Sequence, residues 1–288
     1  MISKLILGTV QFGLNYGINN TTGKIDKNQV EELLMTAFDK GIRFLDTAEL
    51  YGDAHEVIGF FHKKHKELKF KIITKFPHNI NSFSVERKVF EYINKLNVNS
   101  LEVLMFHSFD SFKSNYKNLD LLNELKLKGY IKNLGVSVYT NDQLKSLIDE
   151  DLVTVVQLPF NMLDNVSIRG ELLLKLNEKG KLIHTRSAFL QGLFFKNVND
   201  KNLIAQKLKP ELQLLRQFTK ESNCLMEELA LSYCLSQKNI DNVIIGVDSI
   251  TQLNNNINAA SYKIEQETLN RIDSINVEDL ELLNPSLW

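Results

Sequence analysis

Cysteine, proline and glycine are all scarce in this chain of 288 residues, which holds two Cys, four Pro and 13 Gly. So few glycines and prolines argue against a linker-rich or disordered polypeptide. The two cysteines, Cys224 and Cys234, lie within one helical pattern. They form neither a disulfide framework nor a metal-ligand spacing, and they read as buried reduced thiols of a cytoplasmic protein. Charge of one sign is missing too. Lys and Arg number 34 against 35 Asp and Glu, a net charge of −1. No basic stripe could neutralise a nucleic-acid backbone, so nucleic acid is not an expected partner. No apolar run reaches the length of a membrane span, and the opening Met1-Ile2-Ser3-Lys4-Leu5-Ile6-Leu7 lacks a cleavage site and reads as a strand. A metal site is not expected: His55, His62, His65 and His78 read as isolated surface residues. There is no internal repeat and no low-complexity segment.

What is present is an alternation of short apolar runs with amphipathic helical stretches. Strand-like runs are Leu5–Gly8, Phe44–Leu45, Phe70–Thr74, Leu101–Phe106, Ile131–Val136, Thr154–Leu158, Leu182–His184 and Val243–Ile245. Helical spacing lies between them, as in Val30-Leu33-Leu34-Ala37 and Leu119-Leu122-Leu125. Asp26 to Gln29, Thr140 to Gln143 and Ser249 to Gln252 have capping-box spacing. An open nucleotide-binding sheet would carry Gly-x-Gly-x-x-Gly after its first strand. The turn here reads Gly8-Thr9-Val10-Gln11-Phe12-Gly13, without that fingerprint. The expectation is therefore an α/β fold: a single (β/α)8 TIM barrel over residues 1–288, with an additional C-terminal helix and tail from about Ile264. The stretch from Ser187 to Lys201 is long enough for a functional loop.

In such a barrel, chemistry sits at the C-terminal strand ends. The second strand runs into Asp46-Thr47-Ala48-Glu49-Leu50-Tyr51-Gly52, the third ends on Lys75 and the fourth on His107. Singly, each has an ordinary structural reading. Together, at consecutive strand ends, they suit carbonyl reduction by hydride, which leaves an alkoxide in need of a proton. A phenol with a pKa near about 10 is a poor acid at neutral pH. Lys75 beside Tyr51 is expected to lower that pKa, Asp46 to hold Lys75 charged, and His107 to orient the substrate oxygen.

With these residues the chain resembles the aldo-keto reductases. The likeness runs from Leu7-Gly8-Thr9 to about Ala260, and its most specific pieces are Gly41-Ile42-Arg43-Phe44-Leu45-Asp46-Thr47-Ala48, Tyr51-Gly52, Glu56-Val57-Ile58-Gly59, Lys75, His107 and Gly135-Val136-Ser137. The resemblance implies that Tyr51, Asp46, Lys75 and His107 are the catalytic residues, with Tyr51 the proton donor. It implies a nicotinamide dinucleotide, NAD(P)H, held near Gly8, Thr9, Val10 and Asp46, with Ser137 and Gln157 on the carboxamide. An Asn usual after the serine is here Val138, and Asn161 lies further along. An aromatic that usually stacks on the nicotinamide is replaced by Arg186, which could instead hold an acidic substrate or a cofactor phosphate. Ser187, Phe189, Gln191 and Gly192 are implied along the pyrophosphate, and Gly246, Asp248, Gln252 and Asn256 at the adenosine end. Relatives preferring NADP place Lys or Arg at this turn; positions 246–256 contain neither, and Asp248 is acidic, so use of NADH is expected. Asp248 also has an ordinary reading as the cap of the following helix.

Substrate contacts are expected from Tyr51, His107 and Ser108, the last standing where relatives carry Trp, with Val10 to Leu14, Phe109, Phe160, Leu287 and Trp288 as further pocket candidates. The substrate would be a small aldehyde or ketone, or the corresponding alcohol, a sugar derivative included. Two other classes fit the same residues. One is a cofactor-binding, redox-sensing regulatory subunit of the same fold; the other is a different barrel enzyme in which Lys75 forms a Schiff base. No residue pattern sets an oligomeric state.

Overall fold

The computed structural model describes residues 1–18, 20, 23–197 and 200–288. Eight parallel strands close into a barrel in sequence order: β1 (Leu5–Gly8), β2 (Phe44–Asp46), β3 (Lys71–Phe76), β4 (Leu101–Phe106), β5 (Ile131–Ser137), β6 (Val155–Pro159), β7 (Leu182–Arg186) and β8 (Asn242–Gly246). Every expected strand is found, several extended by one or two residues. The extensions matter, because they add Asp46, Lys75, Ser137 and Arg186 to the hydrogen-bonded ladder. Helices cross between strands and cover the barrel, among them Lys27–Asp39, Ala54–Lys64, Val85–Leu96 and Val166–Glu178. The extra C-terminal helix is Gln266–Asp273, followed by short 3-10 turns at Leu280–Leu283 and Pro285–Leu287.

Two apolar clusters follow from the period-two alternation of strands. Ile6, Ile73, Val103, Met105 and Val155 fill the barrel interior, with Phe44 and Ile244 packed on them. The residues of opposite parity, such as Leu5, Leu7, Leu45, Ile72, Leu104 and Val156, join the larger layer between strands and helices. Successive side chains on a strand face opposite sides, so parity carries upward to the strand ends. Two residues beyond the interior-filling Ile6, Phe44, Ile73, Met105, Val155 and Ile244 stand Gly8, Asp46, Lys75, His107, Gln157 and Gly246. The parity that packs the interior therefore delivers the polar residues to its mouth.

The caps turn out unevenly. At Thr140 the full box forms: its hydroxyl accepts from Gln143 N at 3.3 Å, and Gln143 Oε1 accepts from Thr140 N at 3.3 Å. Asp26 instead accepts from Asn28 N at 2.9 Å. Ser249 accepts from Gln252 N at 3.3 Å, while Gln252 Oε1 turns to Asp248 N at 3.2 Å. Ser249, not Asp248, is therefore the cap of helix Ile250–Ala259.

Two histidines expected at the surface are buried. His55 Nε2 meets Thr74 Oγ1 at 2.8 Å, and His62 bonds Leu96 O at 2.8 Å and accepts from Phe70 N at 3.2 Å. Burial lowers both pKa values to about 4, so both are neutral. Their helix faces a strand rather than water, which an isolated His in a sequence does not reveal. Cys234 is buried in helix Met226–Ser236, but Cys224 is half-buried in the turn before it, not in a helix. Among the described residues no helix is long and apolar enough to cross a membrane.

Candidate active site at the barrel mouth

The floor of the mouth is a closed polar circuit. Lys75, 1% exposed, donates to Asp46 Oδ1 at 2.5 Å and to the Thr47 carbonyl at 3.1 Å. The other carboxylate oxygen, Asp46 Oδ2, accepts from Gln157 Nε2 at 2.8 Å. Barrel closure makes this last contact, since β2 and β6 lie on different sides of the ring. Burial pulls the Lys75 pKa down, and the Asp46 carboxylate opposes that pull. An ammonium committed to two oxygens is not the free amine that Schiff-base chemistry requires.

Tyr51 sits above this floor, on the turn between β2 and helix Ala54–Lys64. Its ring centroid is 5.5 Å from Lys75 Nζ and 5.9 Å from the His107 ring, edge to face. The turn is held against the first loop by two glycines. A Cβ on Gly13 would lie 1.7 Å from the Tyr51 carbonyl oxygen, and one on Gly52, at φ +57°, would lie 2.5 Å from the Gly13 oxygen. Only hydrogen fits at either position.

Lys75 was expected to lower the Tyr51 pKa. The phenol is instead pushed up, first by burial and then by the charge of Asp46; Arg186 is the cation that opposes this. Asp46 neutralises Lys75, so little net positive charge is left below the ring. The phenol therefore holds its proton at neutral pH. His107 is held at about 3 by burial, Lys75, His78 and Arg186, and is neutral. Its Nδ1 is buried without a hydrogen-bond partner among the described residues. An uncompensated buried nitrogen of this kind is costly unless a ligand meets it.

The other expected residues divide. Ser137 is buried and pairs in register with Gln157 on adjacent strands, both at the mouth. Gly8 pairs with Gly246, and a Cβ on Gly246 would meet the Gln11 amide at 3.3 Å, so the Gln11 side chain lies against that glycine. Thr9 is turned to other use: its hydroxyl and its N–H both donate to the Asp46 carbonyl at 3.0 Å, tying β1 to β2. Val10 opens the short helix Val10–Gly13. Asn161 is a clamp, donating to the Ser187 carbonyl at 3.2 Å and accepting from Leu163 N and Asp164 N.

After β7 the chain runs through left-handed conformations at Ser187, Leu190, Gln191 and Gly192, with Phe189 between them. The stretch Leu190–Phe195 is 3-10-like but broken by a kink at Gln191 and Gly192, whose φ values are 54° and 92°. Val198 and Asn199, also in the expected loop, lie outside the described residues. Gln191 Nε2 reaches Tyr16 OH at 3.0 Å. Gln252 is spent on its cap, and Asn256 is buried on helix Ile250–Ala259. Ser108 caps helix Phe109–Ser114, accepting from Ser111 N at 3.1 Å. Phe160 is fully buried and stacked 5.6 Å from Tyr233, which makes it core rather than pocket.

Several participants were not anticipated. His184 is buried, and that burial holds it at about 4, with the charges of Asp46 and Asp241 acting upward and that of Lys75 downward. Its position two residues before Arg186 gave it mouth-facing parity, which was a usable signal. His78 stacks on His107 at 4.7 Å, and Arg186 lies 4.1 Å over the ring of Tyr139. Neither contact has a signature in sequence spacing.

Against known proteins, the Aldo/keto reductase family matches residues 4–277. The chain belongs to the aldo/keto reductase family. This aldo/keto reductase is 24% identical over 296 residues to an L-galactose dehydrogenase of Arabidopsis thaliana, covering 94% of this chain and 91% of that one. It is 21% identical over 301 residues to an NADH-specific methylglyoxal reductase of Escherichia coli (strain K12), covering 91% of each. Its fold is similar to that of the aldo-keto reductase AKR11C1 from Bacillus halodurans in its holo form, with a TM-score of 0.78, 19% identity, and 96% of this chain and 94% of that chain covered. It is thus an oxidoreductase of that family, built on the family's barrel.

Proposed function

We propose that this aldo/keto reductase interconverts a small aldehyde or ketone and its alcohol at the barrel mouth, using NAD(P)H, with Tyr51 as general acid and base. The observation that carries this is the locked Asp46–Lys75–Gln157 circuit beneath Tyr51 and beside a neutral His107. The dinucleotide supplies or accepts the hydride when bound. Ser137 and Gln157 would hold its carboxamide, Ser187 to Gly192 its pyrophosphate, and the turn at Gly246 to Asn256 its adenosine. The unpartnered His107 Nδ1 fits such a ligand.

The protein's own part is electrostatic. A phenol that keeps its proton at neutral pH has one to give as negative charge grows on the substrate oxygen. Neutral His107 donates a hydrogen bond to the same oxygen without competing for the proton. For the cofactor, absence of Lys and Arg from positions 246–256, together with the acidic Asp248, supports use of NADH at least as good as that of NADPH. The name of the E. coli relative, an NADH-specific reductase, agrees with that reading. The substrate class extends to sugars, as the name of the plant relative suggests.

A screen of aldehydes, ketones and sugars, read by nicotinamide absorbance, tests the proposal with Tyr51→Phe as control. Tyr51→Phe is expected to lower turnover by about 10²–10⁴-fold with dinucleotide affinity nearly unchanged. Loss of dinucleotide binding in that variant would overturn the assignment. A large preference for NADPH under equal conditions would overturn the cofactor reading.

A further inference from the structure

Two arginines flank Tyr139, and they are used very differently. Arg169 is saturated: Nε and Nη2 pair with both oxygens of the buried Asp164 at 2.6 and 2.9 Å, Nη1 meets Asn141 Oδ1 at 2.7 Å, and Nη2 also meets the Tyr139 carbonyl at 2.8 Å. Arg186 ends β7 with its guanidinium 4.1 Å over the Tyr139 ring and one hydrogen bond, Nη2 to the Val138 carbonyl at 3.3 Å. Among the described residues no carboxylate lies within 4.0 Å of it. Yet Arg186 is half-buried at the mouth, where its charge reaches Tyr51, Tyr16, Lys75 and His107.

A guanidinium in that position loses water without gaining a counter-charge, a cost that proteins ordinarily relieve by pairing. Stacking on Tyr139 covers one face of the plane and leaves in-plane N–H donors, the geometry that binds a carboxylate or phosphate in a fork. The nearby carboxylates Asp46 and Asp164 are already committed to Lys75 and Arg169. The missing anion must therefore come from outside the chain.

We infer that Arg186 is a specificity-determining residue that selects a substrate carrying a carboxylate or phosphate on the same small molecule as its carbonyl. The inference rests on the proposed reaction at Tyr51, whose field Arg186 shares. It accounts for the one cation of the mouth region that the catalytic scheme leaves without a carboxylate among the described residues.

Matched pairs of probes test it: succinic semialdehyde against butanal, and glyceraldehyde 3-phosphate against glyceraldehyde. Arg186→Met should lower kcat/KM for the charged member of each pair by about tenfold or more beyond whatever the neutral member loses through the shared field at Tyr51. Arg186→Lys, which keeps the charge but not the fork, should retain part of the preference. Calorimetric titration of succinate and glycerol phosphate gives a readout without turnover: the wild-type protein should bind them, and Arg186→Met should not. An equal loss for charged and neutral members, or no loss, would overturn the inference. So would weakened dinucleotide affinity with an unchanged ratio, since the anion would then be the cofactor's. If no member of either pair is turned over by the wild type, the reaction assignment fails for these compounds. The calorimetric arm still decides Arg186, because absence of anion binding to the wild type sinks the inference and its loss in Arg186→Met upholds it.

Discussion

The floor and the rim of the barrel mouth are built by opposite means. On the floor, Asp46, Lys75 and Gln157 sit at the ends of strands, are almost fully buried, and have their charged atoms committed to one another. On the rim, just beyond the strand-end Arg186, Ser187 to Gly192 include four left-handed residues and are tied by few side-chain bonds, chiefly Asn161 to the Ser187 carbonyl and Gln191 to Tyr16. Groups that must not move during a reaction belong on the ladder, where hydrogen bonds and packing hold them. Groups that must match a ligand's shape are placed on loops, whose sequence can vary without cost to the barrel.

That contrast can be broken most sharply at Lys75. Lys75→Met removes one partner of a buried pair and leaves Asp46 uncompensated, so a stability loss of about 3–5 kcal/mol is expected in urea unfolding. A loss below about 1 kcal/mol would mean that the floor is not the rigid part. Next comes Gly13→Ala, which forces the Tyr51 turn aside. About 1–3 kcal/mol should be lost, and turnover should fall more than the affinity for dinucleotide does; unchanged kinetics would show that the phenol's place does not depend on the first loop.

A smaller effect separates the regions by pH. His107 and His184 on the floor, and His55 and His62 behind it, have folded pKa values depressed from 6.5 to about 3 or 4. Their contribution is fully present above the unfolded value and is lost as pH falls through the window from 6.5 toward 4. The unfolded chain then binds protons the folded one refuses, at up to about 1.4 kcal/mol per pH unit per group. Unfolding midpoints measured across that window should fall as pH falls, and less steeply in His62→Gln. A flat profile would contradict the burial. The smallest effect lies on the rim: Ser187→Gly relieves a side chain at φ +63° and should stabilise by less than about 1 kcal/mol. Destabilisation there would mean that the serine hydroxyl does structural service.

Much of the floor was legible beforehand because its information is local. An apolar residue facing the interior two positions earlier announces what faces the mouth, and Asp46, Lys75 and His107 all obey that rule; His184 does not, since Leu182 two positions before it is exposed. The rim was legible only as a list of residue types. Ser108, expected at the substrate, also caps a helix, since a short polar side chain at a helix start serves its own backbone first, and Gln252 accepts from the Asp248 N–H beside the Ser249 cap. Phe160 looked like a pocket wall and is core, because aromatic character does not say which way a side chain turns.

By itself, the order of residues determined eight strands, their inward parity and the set of polar groups at their ends, because these depend on periods of two and 3.6 that neighbours in the chain enforce. Only closure of the barrel decided who pairs with whom. It brought Gln157 across to Asp46, the carboxylate that also pairs with Lys75, and it buried the Tyr51 phenol, which keeps its proton. It also set Arg186 on Tyr139 with no carboxylate beside it. Such outcomes depend on distances between segments far apart in the chain and on how much water the finished fold excludes, and neither quantity is written in local spacing.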